Sequence, residues 1–397
     1  MLPVAERAAA QNRKCELGDI FRNYGEQYRQ NHALPRSHLR VMRAVERCRT
    51  AALGGHLQQC DACGFERPAY NSCRNRHCPK CQSMAKANWL EKQKSELLPV
   101  GYFHLVFTLP HELNRLILVN KKVLINLLFQ AVSETLSKFA RTHLRGTLGL
   151  TAVLHTWNQQ LNDHFHLHCL IPAGALSLDQ NRWIPARKNF LFHVKALSIV
   201  FRAKFLDLLK KAFDQKKLLF IGQSAHLADP LSFKLLLKTV EQKSWVVYAK
   251  KTFASPDHVL DYLGRYTHRV ALSNNRICSV HNSEVTFTYR DRKNQNQLKL
   301  MKLQVHEFIR RFLLHVIPKG LMRVRHFGFL ANRSKERLST CRQLLGLLPA
   351  LPKPPQRSTH ELMLALTGID LTRCPRCQNG TLLFLAQLPL LPLQDSS

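Results

Sequence analysis

His155-Thr-Trp-Asn-Gln-Gln-Leu-Asn-Asp-His164-Phe-His166-Leu-His168-Cys169 places imidazoles at every second residue of an apolar stretch. Side chains at i and i+2 of a strand project from the same face, so His166 and His168 form a candidate grip on one metal ion. Residues 151–157 and 165–171 read as two strands joined by the polar loop 158–163. With that loop centred, His155 falls opposite His166, and cross-strand neighbours have Cβ atoms about 4.5–5.5 Å apart. His155 is therefore the expected third ligand. A single His-x-His arises roughly once by chance from this many histidines, whereas the unbroken alternation is on the order of twenty times rarer, so the longer pattern carries the weight.

Further along lies Ser255-Pro-Asp-His-Val-Leu-Asp-Tyr262-Leu-Gly-Arg-Tyr266. Ser255 suits an N-cap, Pro256 the first helical position and Asp257 the first turn, which predicts a helix. Tyr262 and Tyr266, four apart, then share one helix face. A tyrosine oxygen can attack a phosphodiester if nearby positive charge favours the phenolate, and an imidazole-held ion can neutralise the nonbridging oxygens. Arg265 and Arg269 each follow a tyrosine by three positions, which would set guanidinium groups beside the scissile phosphate. A phosphotyrosine retains the bond energy, so a freed hydroxyl can reverse the attack without ATP.

The balance of charge agrees with a polyanionic partner. Lys and Arg outnumber Asp and Glu by 59 to 26 in 397 residues, a net charge of +33 that points to nucleic acid. With 45% apolar residues the chain can bury a sizeable core, and its length suggests two or three domains. Met1-Leu-Pro-Val-Ala-Glu-Arg7 has no apolar signal region. The apolar tail 382–393 is too short to span a membrane and is broken by Pro389 and Pro392. A cytoplasmic, bacterial protein without a membrane partner is expected, associated with the nucleoid while it acts.

Most of the 12 cysteines lie between Cys48 and Cys81 or in the tail motif Cys374-Pro-Arg-Cys377. In a reducing compartment such clusters bind metal more often than they form disulfides. Cys60-Asp-Ala-Cys63 and Cys78-Pro-Lys-Cys81 match zinc-ribbon spacing, so Cys60, Cys63, Cys78 and Cys81 are the first candidates for a structural Zn²⁺. Cys73 and His77 are alternates, and with Cys48 and His56 they offer a surplus for a second site. The tail pair supplies only two of four ligands, so either a metal site is completed by partners elsewhere in the chain or the pair is two solvent-facing thiols. Ahead of these motifs, Arg36, Arg40, Arg43 and Arg47 recur at spacings of four, three and four, one basic helical face suited to DNA phosphates.

The rest of the pattern is mixed. Residues 1–58 read as helical, 102–109 as a buried strand, 112–144 and 194–213 as helices. Residues 276–280, 284–289 and 297–303 suggest a short antiparallel sheet before a helix near 306–315, and 348–355 reads as a proline-rich linker.

Several motifs together resemble a known family. They are Cys60-x-x-Cys63, Cys73-Arg-Asn-Arg-His-Cys-Pro-Lys-Cys81, Phe107-Thr-Leu-Pro-His-Glu-Leu113, His155-Thr-Trp157, His164-Phe-His-Leu-His-Cys-Leu-Ile-Pro172 and Tyr262-Leu-Gly-Arg-Tyr-Thr-His-Arg-Val270. In this order they resemble the rolling-circle transposases of the insertion-sequence-91 family, members of the HUH endonucleases, over roughly residues 35–345. The resemblance implies an α+β fold, with a ferredoxin-like antiparallel sheet core and helices, plus a small amino-terminal zinc-binding domain. It implies His166 and His168 as the HUH metal pair and Tyr262 and Tyr266 as nucleophiles. Relatives often carry Pro where this chain has Phe165, and some work with one tyrosine.

These readings converge on a DNA-nicking and strand-transfer enzyme, a transposase that acts on single-stranded element ends and target through a 5′-phosphotyrosine. Mg²⁺ or Mn²⁺ would serve as the catalytic ion and Zn²⁺ as the structural one. The expected division is 1–99 for zinc binding and DNA recognition, 100–345 for catalysis, and 346–397 for linker and tail. A plasmid replication initiator or relaxase would use the same chemistry. A non-catalytic zinc-finger DNA-binding protein would need only the basic surface and the cysteines.

Overall fold

The structure, a computed structural model, describes residues 15–187, 190–251, 259, 264, 271–291, 294–350 and 358–391. Two helices, α1 (Leu17–Asn31) and α2 (Arg36–Glu46), precede a hairpin of β1 (Gly55–Cys60) and β2 (Glu66–Tyr70). The expected helical run through residue 58 therefore ends early, and residues 55–58 are strand. Helix α3 (Pro79–Glu96) follows, with Cys78 at the N-cap and Pro79, whose missing N–H costs nothing there, at the first position.

Strand β3 (Tyr102–Thr108) leads to α4 (Asn114–Val119) and α5 (Lys121–Phe139), with a π turn over Ala140–Leu144. The single helix expected over 112–144 is broken at Asn120. Its side chain donates to Leu116 O (3.1 Å) and Leu219 O (2.8 Å) and accepts from Leu219 N (2.7 Å), holding the break open. The histidine-rich hairpin is β4 (Gly149–Trp157) and β5 (Asp163–Pro172). Its loop is set by Asn158, whose Oδ1 accepts from the Gln160 and Asn162 amides, and by Leu161 in the left-handed region at φ 62°.

Beyond it come α6 (Val194–Asp214), α7 (Pro230–Glu241) and β6 (Val247–Lys251). A meander of β7 (Ile277–His281), β8 (Glu284–Asp291) and β9 (Gln297–Gln304) runs into α8 (Val305–Leu314), close to the expected bounds. Strand β10 (Val324–Gly328) and α9 (Lys335–Leu344) precede the tail, which contains α10 (Thr359–Thr367) and β11 (Leu382–Leu388). Residues 351–355 of the expected linker lie outside the described residues.

Among the described residues the largest sheet is five-stranded and antiparallel, in the order β10-β4-β5-β3-β6. The mixed, antiparallel α+β class is as expected. One face of this sheet, with Phe107, Leu154, Leu167 and Cys169, is roofed by Leu128 and Phe129 of α5 and by Phe201 and Phe205 of α6. Strict strand alternation leaves His155, His166 and His168 on the other face. There Tyr102 and Leu170 form a small cluster with Val259, flanked by Trp89 and Leu90 of α3.

A second core joins Phe21 and Tyr28 of α1, Met42 and Val45 of α2, Phe287 of β8 and Phe308 and Phe312 of α8, with Trp157 and Leu161 from the histidine hairpin. The expected boundary at residue 99 therefore does not separate two cores. The tail is not a separate unit either, because β11 pairs with β1 to give the order β11-β1-β2. No described helix is long and apolar enough to cross a membrane.

Phe107 is fully buried and meets Phe201 edge-on with ring centroids 5.2 Å apart. Phe107→Ala should cost about 3–5 kcal/mol in denaturant unfolding, through lost burial and the cavity left behind. Tyr248→Ala, on the neighbouring edge strand but 52% exposed, should change stability by no more than about 0.5 kcal/mol.

Candidate metal centres and basic groove

The β4–β5 register sets His155 directly opposite His166, with Val153 opposite His168. His155, His166 and His168 are all buried, and one ring nitrogen from each lies within 4.8 Å of the others. Two of the rings have defined supports. His166 Nδ1 is 2.8 Å from His164 O, so Nδ1–H donates to that carbonyl and Nε2 is left with its lone pair. The Nδ1 of His168 is 2.9 Å from His104 Nε2, and the two rings stack at 7°. His155 stacks on Trp157 at 4.9 Å, and Trp157 in turn carries the half-buried Arg323, its guanidinium 5.4 Å from the ring centroid.

His104 was not singled out from sequence. It is a lone histidine in the apolar run of β3, which reads as core. The signal available was parity: Thr108 pairs with His166 and Val106 with His168, so His104 falls on the same face one diagonal step away. Burial, with Lys250 nearby, pushes its imidazole down to about 4, so it is neutral and can accept from His168 Nδ1–H. A ring held this way can ligate through Nε2 in a fixed orientation. The donor set, three nitrogens with no carboxylate among the described residues, suits a transition ion better than the harder Mg²⁺.

The cysteines divide differently from expectation. Cys60, Cys63, Cys78 and Cys81 do not converge; they belong to two separate clusters. The first is Cys48, Cys73, Cys78 and Cys81, with Cys48–Cys81 and Cys73–Cys81 sulfurs 3.6 Å apart and Cys48–Cys78 3.5 Å apart. Cys78 and Cys81 come from the first turn of α3, where the helix dipole favours thiolates, while α2 ends just before Cys48. Hydrogen bonds from Cys73 and Cys78 hold the Cys48 thiol down to about 7. The second cluster joins Cys60 and Cys63 to Cys374 and Cys377 of the tail.

Spacing along the chain could not reveal this partition, since any two C-x-x-C pairs satisfy the same rule. His77, an expected alternate, is instead buried beside Trp157, His315 and Arg323 in a small enclosed cavity. His56 lies on β1, its ring tilted against Phe384 with centroids 6.1 Å apart.

Arg36, Arg40, Arg43 and Arg47 are exposed and together line an open groove of about 470 Å³, with Leu39, Ala44, Leu53 and Cys73 on its walls. The first cysteine cluster thus braces a basic surface. Tyr262, Tyr266, Arg265 and Arg269 lie outside the described residues. Two described positions in that stretch are anchored: Val259 is buried with Tyr102 and Leu170, and Gly264 packs on α3. A Cβ at Gly264 would come within 2.9 Å of both Leu90 Cδ1 and Lys86 Cε, so a side chain there would displace those two side-chain ends of α3.

Comparison with known proteins gives consistent matches. The family model described as "Transposase zinc-binding domain" matches residues 20–109, and that described as "Putative transposase" matches residues 149–337. The chain is 47% identical over 374 residues to "Putative transposase y4qJ" of Sinorhizobium fredii (strain NBRC 101917 / NGR234), covering 93% of this chain and 94% of that one. It is 29% identical over 342 residues to "Transposase for insertion sequence element IS801" of Pseudomonas savastanoi pv. phaseolicola, covering 83% and 79%. No solved structure matches.

Zinc fits the first cluster, because four thiolates at about 2.3 Å from a tetrahedral ion stand about 3.8 Å apart. Replacing Cys48 and Cys73 with Ser should release that zinc and unfold the segment around α2 and the start of α3. Zinc content and amide exchange of the purified double variant are the measurements. Unchanged zinc in a folded variant would contradict the ligand set.

Proposed function

The chain belongs to the insertion-sequence-91 family of transposases, enzymes that act on DNA, and from that premise we propose that it nicks and rejoins single-stranded element ends through a metal-assisted 5′-phosphotyrosine in rolling-circle transposition. The observation that carries the reading is the convergence of His155, His166 and His168 on the sheet face where Val259, three positions before Tyr262, is buried. The central antiparallel sheet, with the histidines on two adjacent inner strands, supports a HUH-type, ferredoxin-like core.

His155, His166 and His168 would hold the catalytic ion, and of the two expected ions Mn²⁺ suits the nitrogen donors better than Mg²⁺. Bound there, it would act as a Lewis acid toward the nonbridging oxygens of a phosphodiester. The protein supplies the rest. His104 and the His164 carbonyl fix two of the rings, and the cationic Arg323 beneath Trp157 adds positive charge to the site. Tyr262 or Tyr266 is the proposed nucleophile: its oxygen bonds to phosphorus, the bond to the 3′ oxygen breaks, and that oxygen leaves as a hydroxyl. Attack of a 3′ hydroxyl on the phosphotyrosine reverses the exchange and frees the tyrosine. Arg265 and Arg269 are proposed to hold the phosphate during both steps.

The groove formed by Arg36, Arg40, Arg43 and Arg47 fits the sugar-phosphate backbone, which carries no sequence information but supplies affinity. Residues 100–345 are the proposed catalytic portion, with the amino-terminal portion serving recognition.

Labelled single-stranded element ends incubated with Mn²⁺ should give a covalent protein–DNA adduct on denaturing electrophoresis. The double variant Tyr262→Phe with Tyr266→Phe should bind the same DNA yet form no adduct. His166→Ala with His168→Ala should slow cleavage on the order of 10³-fold, from the several kcal/mol an ion contributes to charge stabilisation. An adduct formed by the double-Phe protein would overturn the tyrosine assignment. Movement of a marked element separates a transposase from a replication initiator with the same chemistry.

A further inference from the structure

We propose that Cys60, Cys63, Cys374 and Cys377 form a second zinc site, which clamps the tail onto the amino-terminal sheet. It stands independently of the DNA chemistry. Cys60 and Cys377 sulfurs are 3.7 Å apart, as are those of Cys63 and Cys374, and all four lie within 4.8 Å of one another. A disulfide would require about 2.05 Å, whereas tetrahedral thiolates on one zinc ion stand about 3.8 Å apart. The spacing is that of four ligands around an ion.

The two C-x-x-C turns are built alike. Gly64 N donates to Cys60 O at 3.1 Å, and Gln378 N to Cys374 O at 3.0 Å. Cys60 N donates to Phe65 O and Cys374 N to Gly380 O, both at 2.9 Å. The residue after each second cysteine is left-handed, Gly64 at φ 65° and Gln378 at φ 59°. In the tail turn Gly380 N also points at Cys377 Sγ, 3.3 Å away, the kind of N–H contact that stabilises a metal-bound thiolate. Two unrelated parts of the chain have adopted the same ligand-presenting turn.

The turns are also fastened to each other. Asp61 N donates to Thr381 O at 3.1 Å, and Thr381 N to Asp61 Oδ1 at 2.8 Å. Gly380 sits directly over the sulfurs; a Cβ there would collide with Cys60 Sγ and approach Ala62 Cβ to 2.7 Å. From this point β11 runs antiparallel to β1, from Cys60 opposite Leu382 to Gly55 opposite Leu388. Yet β11 buries little, with Leu383 and Phe384 54% and 65% exposed. Such a strand has few apolar contacts to hold it in place, and an ion bridging both turns provides the missing anchor.

The full-length protein tests this by cobalt substitution, because cobalt–thiolate charge-transfer absorption counts sulfur ligands and ignores an ion held by imidazoles. The wild type should show eight cobalt–thiolate bonds per chain. Cys374→Ser with Cys377→Ser should lose half of that absorption and one equivalent of zinc, and residues 358–391 should become sensitive to limited proteolysis while the catalytic portion stays protected. A wild-type count of four cobalt–thiolate bonds would overturn the second site whether or not the variant folds. So would a tail variant with undiminished zinc, iron in place of zinc, or two tail thiols resistant to alkylation until a reductant is added.

Discussion

The pairing of β4 with β5 is the constraint on which the rest depends. Because side chains alternate strictly, one choice of register puts Leu154 and Leu167 into the core beneath α5 and α6 and His155, His166 and His168 onto the opposite face. A slip by one residue would exchange those faces, burying imidazoles among phenylalanines and exposing the core. The apolar face thus enforces the geometry of the polar one. The Asn158 turn and the left-handed Leu161 close the hairpin, and a one-residue irregularity between His155 and Trp157 lies between the pairing at the turn, Trp157 opposite Asp163, and that of the histidines.

Around this hairpin the chain brings distant segments together. Trp157 and Leu161 at its tip enter the core shared with α1, α2 and α8, so the amino-terminal helices are referenced to the histidine site by packing. Cys78 and Cys81 open α3, whose far half supplies Trp89 and Leu90 beside Tyr102, Leu170 and Val259. One helix therefore reaches from a cysteine cluster to the face carrying the histidines. The basic groove lies against the same cluster, and the net charge of +33 is matched to a DNA substrate.

Much of this was legible from the residues. The histidine alternation marked both strands and, through the loop length, the third imidazole; the meander before α8 was plain from its turn signals. What stayed hidden was long-range. Cys60 and Cys63 have no local feature that prefers Cys374 over Cys78, because the partition is decided by β1–β11 pairing across the whole chain. His104 looks like core until β3 is registered against β5. Strand β10, Val-Arg-His-Phe-Gly, alternates weakly and is half-buried throughout, so its place at the edge of the central sheet comes from pairing rather than from pattern. The break at Asn120 depends on a partner at Leu219, which no local window contains.

Magnetic resonance of the Mn²⁺-loaded protein addresses the central claim most directly, since nitrogen hyperfine coupling reports imidazole bound to the ion. Wild-type protein should show coupling from His155, His166 and His168, weakened in His155→Ala and absent when His166 and His168 are both replaced by Ala. Manganese surrounded by oxygen ligands alone, or coupling that persists without His166 and His168, would contradict the account.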